Sequence, residues 1–216
     1  MFRVYNFMTK NPITVGSDEK ISAALDLMRY NKIHRIPVTD ENDHLIGLIT
    51  EGMIAANNKA TSLSIYELNY LLSKTDVRTV MIKHPISIGE NALLEEAAET
   101  LLKNDIGCLP VVNDKDQVTG ILTQNDIFKA FLDMLSWGQK GTRIILSLPE
   151  GVGVLEKVSR IFAQNNISVT SISVYEHGQE NAEVLVKTTG PFDQKRMTEQ
   201  FSKEGFTVLD IEEVEA

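Results

Sequence analysis

Two rhythms of apolar and polar positions alternate along the first two thirds of the chain. Ile21, Ala24, Leu25 and Met28 fall at helical spacing, and so do Leu94, Ala97, Ala98 and Leu101. Ser17 or Asp18 is placed to cap the first of these helices and Asn91 the second. Each helix is followed by two short apolar runs, 35–38 and 45–50, then 108–112 and 118–123, which read as strands. The segments inside each pair, Asp40-Glu-Asn-Asp43 and Asn113-Asp-Lys-Asp116, carry turn chemistry. A second helix closes each unit, in the later one with Ile127, Phe131, Leu132 and Leu135 on one face. The order β-α-β-β-α, given twice, predicts an α/β module.

The two units are copies of each other. Asn11-Pro-Ile-Thr-Val15 returns as His84-Pro-Ile-Ser-Ile88, Arg35-Ile-Pro-Val38 as Cys108-Leu-Pro-Val111, and Gly47-Leu-Ile-Thr50 as Gly120-Ile-Leu-Thr123. Met8 and Met81, Ile33 and Ile106, and Ile54 and Ile127 keep the same offset. A unit this small buries little apolar surface alone, so the copies are expected to pack together around a pseudo-twofold cleft, where ligands tend to sit. Between them, Ser64-Ile-Tyr-Glu67 reads as a capping box for a short inserted helix carrying Ile65, Leu68 and Leu72, which serves best as edge cover.

After Trp137-Gly-Gln-Lys-Gly141 the pattern changes. Arg143 to Leu148 reads as a strand. The turn Pro149-Glu-Gly-Val-Gly153 leads into a helix that buries Val154, Val158, Ile161 and Phe162 and stops in a left-handed cap at Asn165-Asn166. Strands 167–175 and 182–188 flank a turn at His177-Gly178, Gly190-Pro191 opens a helix with Met197 and Phe201 inward and Gly205 as its stop, and Phe206 to Val214 is a last strand. That order, β-α-β-β-α-β, is ferredoxin-like. The fold class is therefore α/β (α+β), with blocks at 1–76 (first repeat and inserted helix), 77–139 (second repeat) and 140–216.

Composition narrows the function. A net charge of −9 argues against nucleic acid as the main partner, because phosphate binding needs basic patches. No apolar run reaches the length of a membrane span, and Met1 to Lys10 lacks signal-peptide character, so a cytoplasmic location with no membrane contact is expected. The single cysteine, Cys108, excludes an internal disulfide and a thiolate metal cluster. With no basic or catalytic group beside it in the sequence, it reads as a small core hydrophobe. His34, His44, His84 and His177 lie on separate loops, and the chain has no Gly-x-Ser-x-Gly or Gly-Lys phosphate loop, so neither a metal site nor an enzyme is expected.

The most specific word is Gly120-Ile-Leu-Thr123-Gln-Asn-Asp126, at the end of a strand and the start of a helix. Its spacing places the Thr123 hydroxyl and the Asp126 carboxylate on one side of the helix entrance. A carboxylate there can accept from both vicinal hydroxyls of a ribose, with free N–H groups nearby for a phosphate. Thr-x-x-Asp before an apolar run reads equally as a capping box with no ligand. The first repeat has Met53 where the second has Asp126, and a thioether cannot make that contact. Conversely, the first repeat has His34-Arg35 where the second has Gly107-Cys108.

The paired pattern, with h-P-h-h-D/N after the first helix and G-h-h-T-x-x-D at the end (h, a hydrophobic residue), resembles the tandem CBS domain (Bateman) module over about residues 1–137. The resemblance implies an adenosine-type ligand: AMP, ADP, ATP, S-adenosylmethionine or a cyclic dinucleotide. It places the ribose grip on Asp126 with Thr123 assisting, brings Thr14, Ile33 and His34 from the other repeat, sets Ile33 on the adenine face, and assigns His34-Arg35 to the phosphate side. With Met53 in the mirror position, one site near Asp126 is expected. The last block resembles an ACT domain: Gly151-Val-Gly-Val-Leu155 approximates that family's Pro-Gly-Val-Leu turn and Asn166-Ile-Ser-Val169 its Gly-Ile-x-h word. In ACT domains that turn often meets an amino acid between two copies, which makes Gly151, Val152 and Gly153 a second candidate, beside the plainer reading that Gly153 permits a tight turn. Two CBS repeats and one ACT domain together resemble the acetoin-utilization AcuB family. The implied protein is a regulatory sensor, homodimeric through apolar residues such as Phe128 and Phe131, that acts on a partner enzyme. The alternative is a ligand-free dimeric scaffold, or an amino-acid sensor working through the ACT domain.

Overall fold

The computed structural model describes residues 2–58, 64–149, 151–175 and 181–215. In chain order the first part runs α1 (Val4–Phe7), β1 (Thr9–Lys10), β2 (Val15–Gly16), α2 (Ile21–Asn31), β3 (Arg35–Thr39), β4 (Leu45–Thr50), α3 (Glu51–Asn58) and α4 (Ile65–Lys74). A 3-10 turn at Val77–Thr79 leads to β5 (Ile82–Lys83), β6 (Ile88–Gly89), α5 (Leu94–Lys103), β7 (Cys108–Val112), β8 (Val118–Thr123) and α6 (Gln124–Met134). The last part is β9 (Gly141–Pro149), α7 (Val154–Gln164), β10 (Ser168–Tyr175), β11 (Asn181–Thr189), α8 (Gln194–Lys203) and β12 (Thr207–Val214). The chain forms two compact units, one up to Phe128 and one from Lys129 on. The expected turn at His177-Gly178 lies outside the described residues.

Each repeat builds a four-stranded mixed sheet, β2-β3-β4-β5 in one and β1-β8-β7-β6 in the other. The sheets are not made from consecutive sequence, as the plain β-α-β-β-α order predicts. Instead they exchange their end strands: β1 pairs with β8 of the second repeat, and β5 with β4 of the first. The exchange carries the preceding turn with it. Val4 N donates to Ala92 O and Leu94 N to Phe2 O, while Val77 N donates to Glu19 O and Ile21 N to Thr75 O, the same contacts one repeat apart. Glycine makes the crossing possible. A methyl group at Gly120 would lie 2.3 Å from Met8 Sδ, and one at Gly47 would lie 2.4 Å from Met81 Sδ.

These long-range contacts also overturn the expected caps. The residue before α2 is Lys20 and that before α5 is Leu93, rather than Ser17, Asp18 or Asn91. The first free N–H of each helix, on Ile21 and Leu94, is already taken by a backbone carbonyl distant in the chain, Thr75 O and Phe2 O. Side chains serve the other helix starts: Glu67 and Ser64 close the expected box on α4, Asp193 accepts from Arg196 N at α8, and at α5 Glu96 accepts from Leu93 N. The core of the first sheet holds Ile21, Ala24, Leu25, Met28, Ile36, Val38 and Ile49, with Val77 contributed by the exchanged segment. Leu72 of α4 packs on it as well, so the inserted helix covers this core. Between the repeats, Leu48, Cys108 and Ile121 form a small shared cluster.

The pseudo-twofold continues in the turns. Asp40 Oδ1 accepts from Asn42 N and His44 N, and Asn113 Oδ1 from Lys115 N and Gln117 N, giving matching Asx turns. The turns clasp each other through Leu45 N to Asp116 O and Val118 N to Asp43 O.

In the unit from Lys129 on, the sheet order is β10-β11-β9-β12, antiparallel throughout, as the ferredoxin-like order requires. Its helices bury Val158, Ile161, Phe162, Met197 and Phe201 against Ile144, Leu146 and Leu148 of β9. Phe162 and Phe201 meet edge to face with centroids 5.4 Å apart. Asn166 takes the expected left-handed conformation, φ 55°, after α7.

Candidate functional site

The β8-to-α6 junction is closed by a reciprocal box. Thr123 N and Thr123 Oγ1 both donate to Asp126 Oδ2, at 2.8 and 2.7 Å, and Asp126 N donates to Thr123 Oγ1 at 3.3 Å. The two readings of this word therefore coexist. One carboxylate oxygen caps the helix, and the other, Oδ1, accepts no hydrogen bond from any described residue. Both residues are half-buried, so the spare oxygen stands at the entrance with its partner already fixed in place.

The β4-to-α3 junction has the same backbone and a different chemistry. Met53 N donates to Thr50 Oγ1 at 3.2 Å, but no carboxylate answers it. Beside it His34 Nδ1 and Glu51 Oε2 stand 2.6 Å apart, and Glu51 N donates to His34 O. His34 is thus engaged at its own repeat's entrance, while remaining largely exposed.

Arg35 crosses between the repeats. Its guanidinium lies over Gly107, where an added methyl would fall 2.6 Å from Nη2. Gly107 O in turn accepts from Gln124 N, the first residue of α6. A run of contacts therefore leads from Arg35 of the first repeat to the helix entrance that carries Thr123 and Asp126. The missing His-Arg pair at Gly107-Cys108 is what admits it, since a side chain at 107 would fill the space. The same arrangement corrects the expectation for Cys108, which does have a basic neighbour. Burial pushes its thiol up and Arg35 offsets part of that rise, so the group is a protonated core residue, not a nucleophile.

The other expected residues lie as follows. Ile33 is half-buried, donates its N–H to Met28 O and packs on the first-repeat core. Thr14 lines an open groove of about 610 Å3 with Asp18, Lys20, Thr39, Asp40 and Ile46, all from its own repeat. In the last unit Val152 is fully exposed and Gly153 has φ 86°, a conformation that by itself calls for glycine ahead of α7. Among the described residues no group of three His, Cys, Asp or Glu side chains is placed to hold a metal, and no helix is long and apolar enough to cross a membrane.

The CBS-domain family profile matches residues 4–57 and 77–133, just over half the chain. The chain belongs to the CBS-domain family. An ACT-domain profile matches residues 142–206. CBS and ACT domains are regulatory modules, and the chain joins one kind to the other. An uncharacterized protein of Methanocaldococcus jannaschii is 32% identical over 133 residues, covering 58% of this chain. The chain spans 48% of that relative's length. Among solved structures, Arabidopsis thaliana CBSX2 in complex with AMP is similar at 30% identity and TM-score 0.54, covering 62% of this chain and 99% of that one. A Vibrio cholerae protein given the name AcuB for acetoin utilization is 29% identical with TM-score 0.54, covering 63% and 94%. The CBS domain pair of protein MJ0100, in complex with 5'-methylthioadenosine and S-adenosylmethionine, is 28% identical with TM-score 0.51, covering 60% and 98%.

Proposed function

We propose that the CBS pair holds one adenosine-type ligand at the entrance of α6 and that its occupancy regulates a partner protein. Asp126 Oδ1 receives the ribose hydroxyls, Thr123 holds the carboxylate in place, and Arg35 supplies the positive charge from across the pseudo-twofold. The family resemblance adds Thr14, Ile33 and His34 of the first repeat to this cleft. The observation that carries this reading is a carboxylate already fixed through one oxygen, with the other spare, at a helix entrance that Gly107 links to Arg35. The ligands of CBSX2 and of the MJ0100 pair support the adenosine class. In this reading residues 1–76 and 77–139 work as one nucleotide sensor and 140–216 as a second module that passes the signal on or takes its own ligand against Gly151, Val152 and Gly153. The protein has no catalysis of its own, works in the cytoplasm as a homodimer through exposed apolar residues such as Phe128, and acts in acetoin metabolism, the context that AcuB suggests.

Calorimetry with AMP, ADP, ATP, S-adenosylmethionine, 5'-methylthioadenosine and a cyclic dinucleotide tests the site. One ligand is expected to bind with a stoichiometry of one per chain, and Asp126→Asn, which keeps a capping oxygen, is expected to weaken it. If none of the compounds gives heat or raises the melting temperature, the ligand-free scaffold replaces this reading.

A further inference from the structure

Lys187 is the one charged residue among the buried positions described, at 3% exposure, and it lies on the face of β11 away from the hydrophobic core of its unit. Its ammonium has no hydrogen bond or ion pair with any described residue. Arg143, on the neighbouring strand, is held instead by Asp210 at 3.4 Å and Glu212 at 3.9 Å. Burial pushes the Lys187 ammonium pKa down, Glu212 pulls it back up, and Arg143 lowers it further. An ammonium at the wall of a mostly apolar cavity is poorly solvated and gains from an anion that joins it there.

Lys187 lines a cavity of about 300 Å3 whose walls are otherwise mostly apolar: Phe131, Trp137, Tyr175 and Leu185, with Arg143 at its side. Three aromatic rings, four aliphatic side chains and an ammonium without a hydrogen-bond partner among the described residues make a pocket with an apolar body and a cationic end. At the lower end of ligand-pocket sizes, it suits a small molecule of matching polarity. A nucleotide does not match it, because its several phosphate charges need more donors than one ammonium and an already paired guanidinium supply. A polar amino acid does not match it either, since its own ammonium would face Lys187 and Arg143. We propose that this cavity binds an apolar monocarboxylate, a medium-chain or aryl-substituted carboxylic acid, with the carboxylate on Lys187 and the hydrocarbon among Phe131, Trp137 and Tyr175. The site is separate from the Asp126 entrance and from the Gly151–Gly153 turn, and it does not depend on the nucleotide reading.

The test is titration of the full chain with octanoate and 3-phenylpropionate, beside 1-octanol and 3-phenylpropanol, which keep the hydrocarbon and lose the charge. The carboxylates are expected to bind roughly ten- to a hundredfold more tightly than the alcohols, the usual range for one charge-assisted contact. Lys187→Met should remove that preference while leaving the response to an Asp126-site ligand unchanged. Its circular dichroism spectrum and cooperative thermal melt should match those of the parent, which keeps the result readable against misfolding. Leu185→Trp, which narrows the cavity and spares the charge, should weaken both classes of probe. Equal affinity for acid and alcohol, an unchanged preference in Lys187→Met, or no binding by either acid overturns the proposal.

Discussion

The two helix entrances of the CBS pair share one backbone and differ in what they can hold. At both, a threonine hydroxyl accepts from the N–H three residues on, Met53 N to Thr50 and Asp126 N to Thr123. Only the second adds a carboxylate that returns the bond and keeps an oxygen in reserve. The basic group follows the same asymmetry in reverse: Arg35 comes from the repeat without the carboxylate and reaches the repeat with it, because Gly107 leaves room. The helix start forms without Asp126, so the fold alone does not demand that residue. In the proposed site the two copies divide the labour, one supplying the grip and the other the charge.

Exchanging the two residues breaks the comparison most sharply. Asp126→Met is expected to cost roughly one to two decades in ligand affinity, from loss of a charge-assisted contact, and about 1 kcal/mol of stability from loss of the cap. Met53→Asp should regain a cap of similar size at α3 and yet create no second site. The residue that pairs with Arg35 in the repeat is Cys108, which brings no charge to that entrance. Calorimetry and thermal melts on both variants separate the two effects. A second binding equivalent in Met53→Asp would show that the carboxylate alone makes the site.

A smaller effect is expected at Gly107. Gly107→Ala introduces a methyl 2.6 Å from Arg35 Nη2, which the long arginine side chain relieves by moving aside. Stability should change by less than about 1 kcal/mol, while the ligand loses severalfold in affinity as the guanidinium leaves its station. An unchanged affinity by calorimetry would detach Arg35 from the site.

What the sequence made legible follows the reach of the forces involved. The paired strands 35–39 and 45–50, with their copies, stood out because each is an apolar run bounded by turn residues, and the structure adds only Thr39. The box at Thr123 and Asp126 was legible for the same reason, being local. The exchange of β1 and β5 was not, because two exposed residues per strand carry no periodic signal. The caps of α2 and α5 failed with it: the helices start after Lys20 and Leu93, where their first N–H groups meet Thr75 O and Phe2 O, partners too distant in the chain for local spacing to show. Arg35 shows the same limit from the site's side. The pairing of an arginine with a glycine in the other copy is visible as two departures from the repeat, and only the crossing of the sheets turns them into one contact. Lys187 gave no sign at all, since a lysine within a run of strand residues reads as a solvated position until the surfaces that cover it are known.

The mildest prediction concerns the matching bridges that hold each exchanged segment. In one half Lys20 bridges to Asp76, and in the other Arg3 bridges to Leu93. The first bridge carries an ion pair. The Lys20 ammonium donates to Asp76, Arg78 adds a second bond, and together they hold the Asp76 carboxyl below its ordinary range. In the second, Leu93 offers no charge and Arg3 Nη1 donates instead to Asn91 O. A depressed carboxylate contributes stability that is present above its unfolded pKa, near 3.9, and is lost as pH falls through the lower folded value. Asp76→Asn should therefore melt slightly below the parent at neutral pH, and the gap should close in the acid range as Asp76 protonates in the parent. Asp40 and Glu67, also depressed, are present in both proteins and cancel in the difference. Arg3→Gln, which touches no carboxylate through this bridge, should shift the melting temperature by the same amount across that range. The effect is small because the Lys20 side chain is 47% exposed and surface ion pairs are screened. A gap for Asp76→Asn that persists unchanged into the acid range would mean that the substitution acts through something other than the loss of the carboxylate charge.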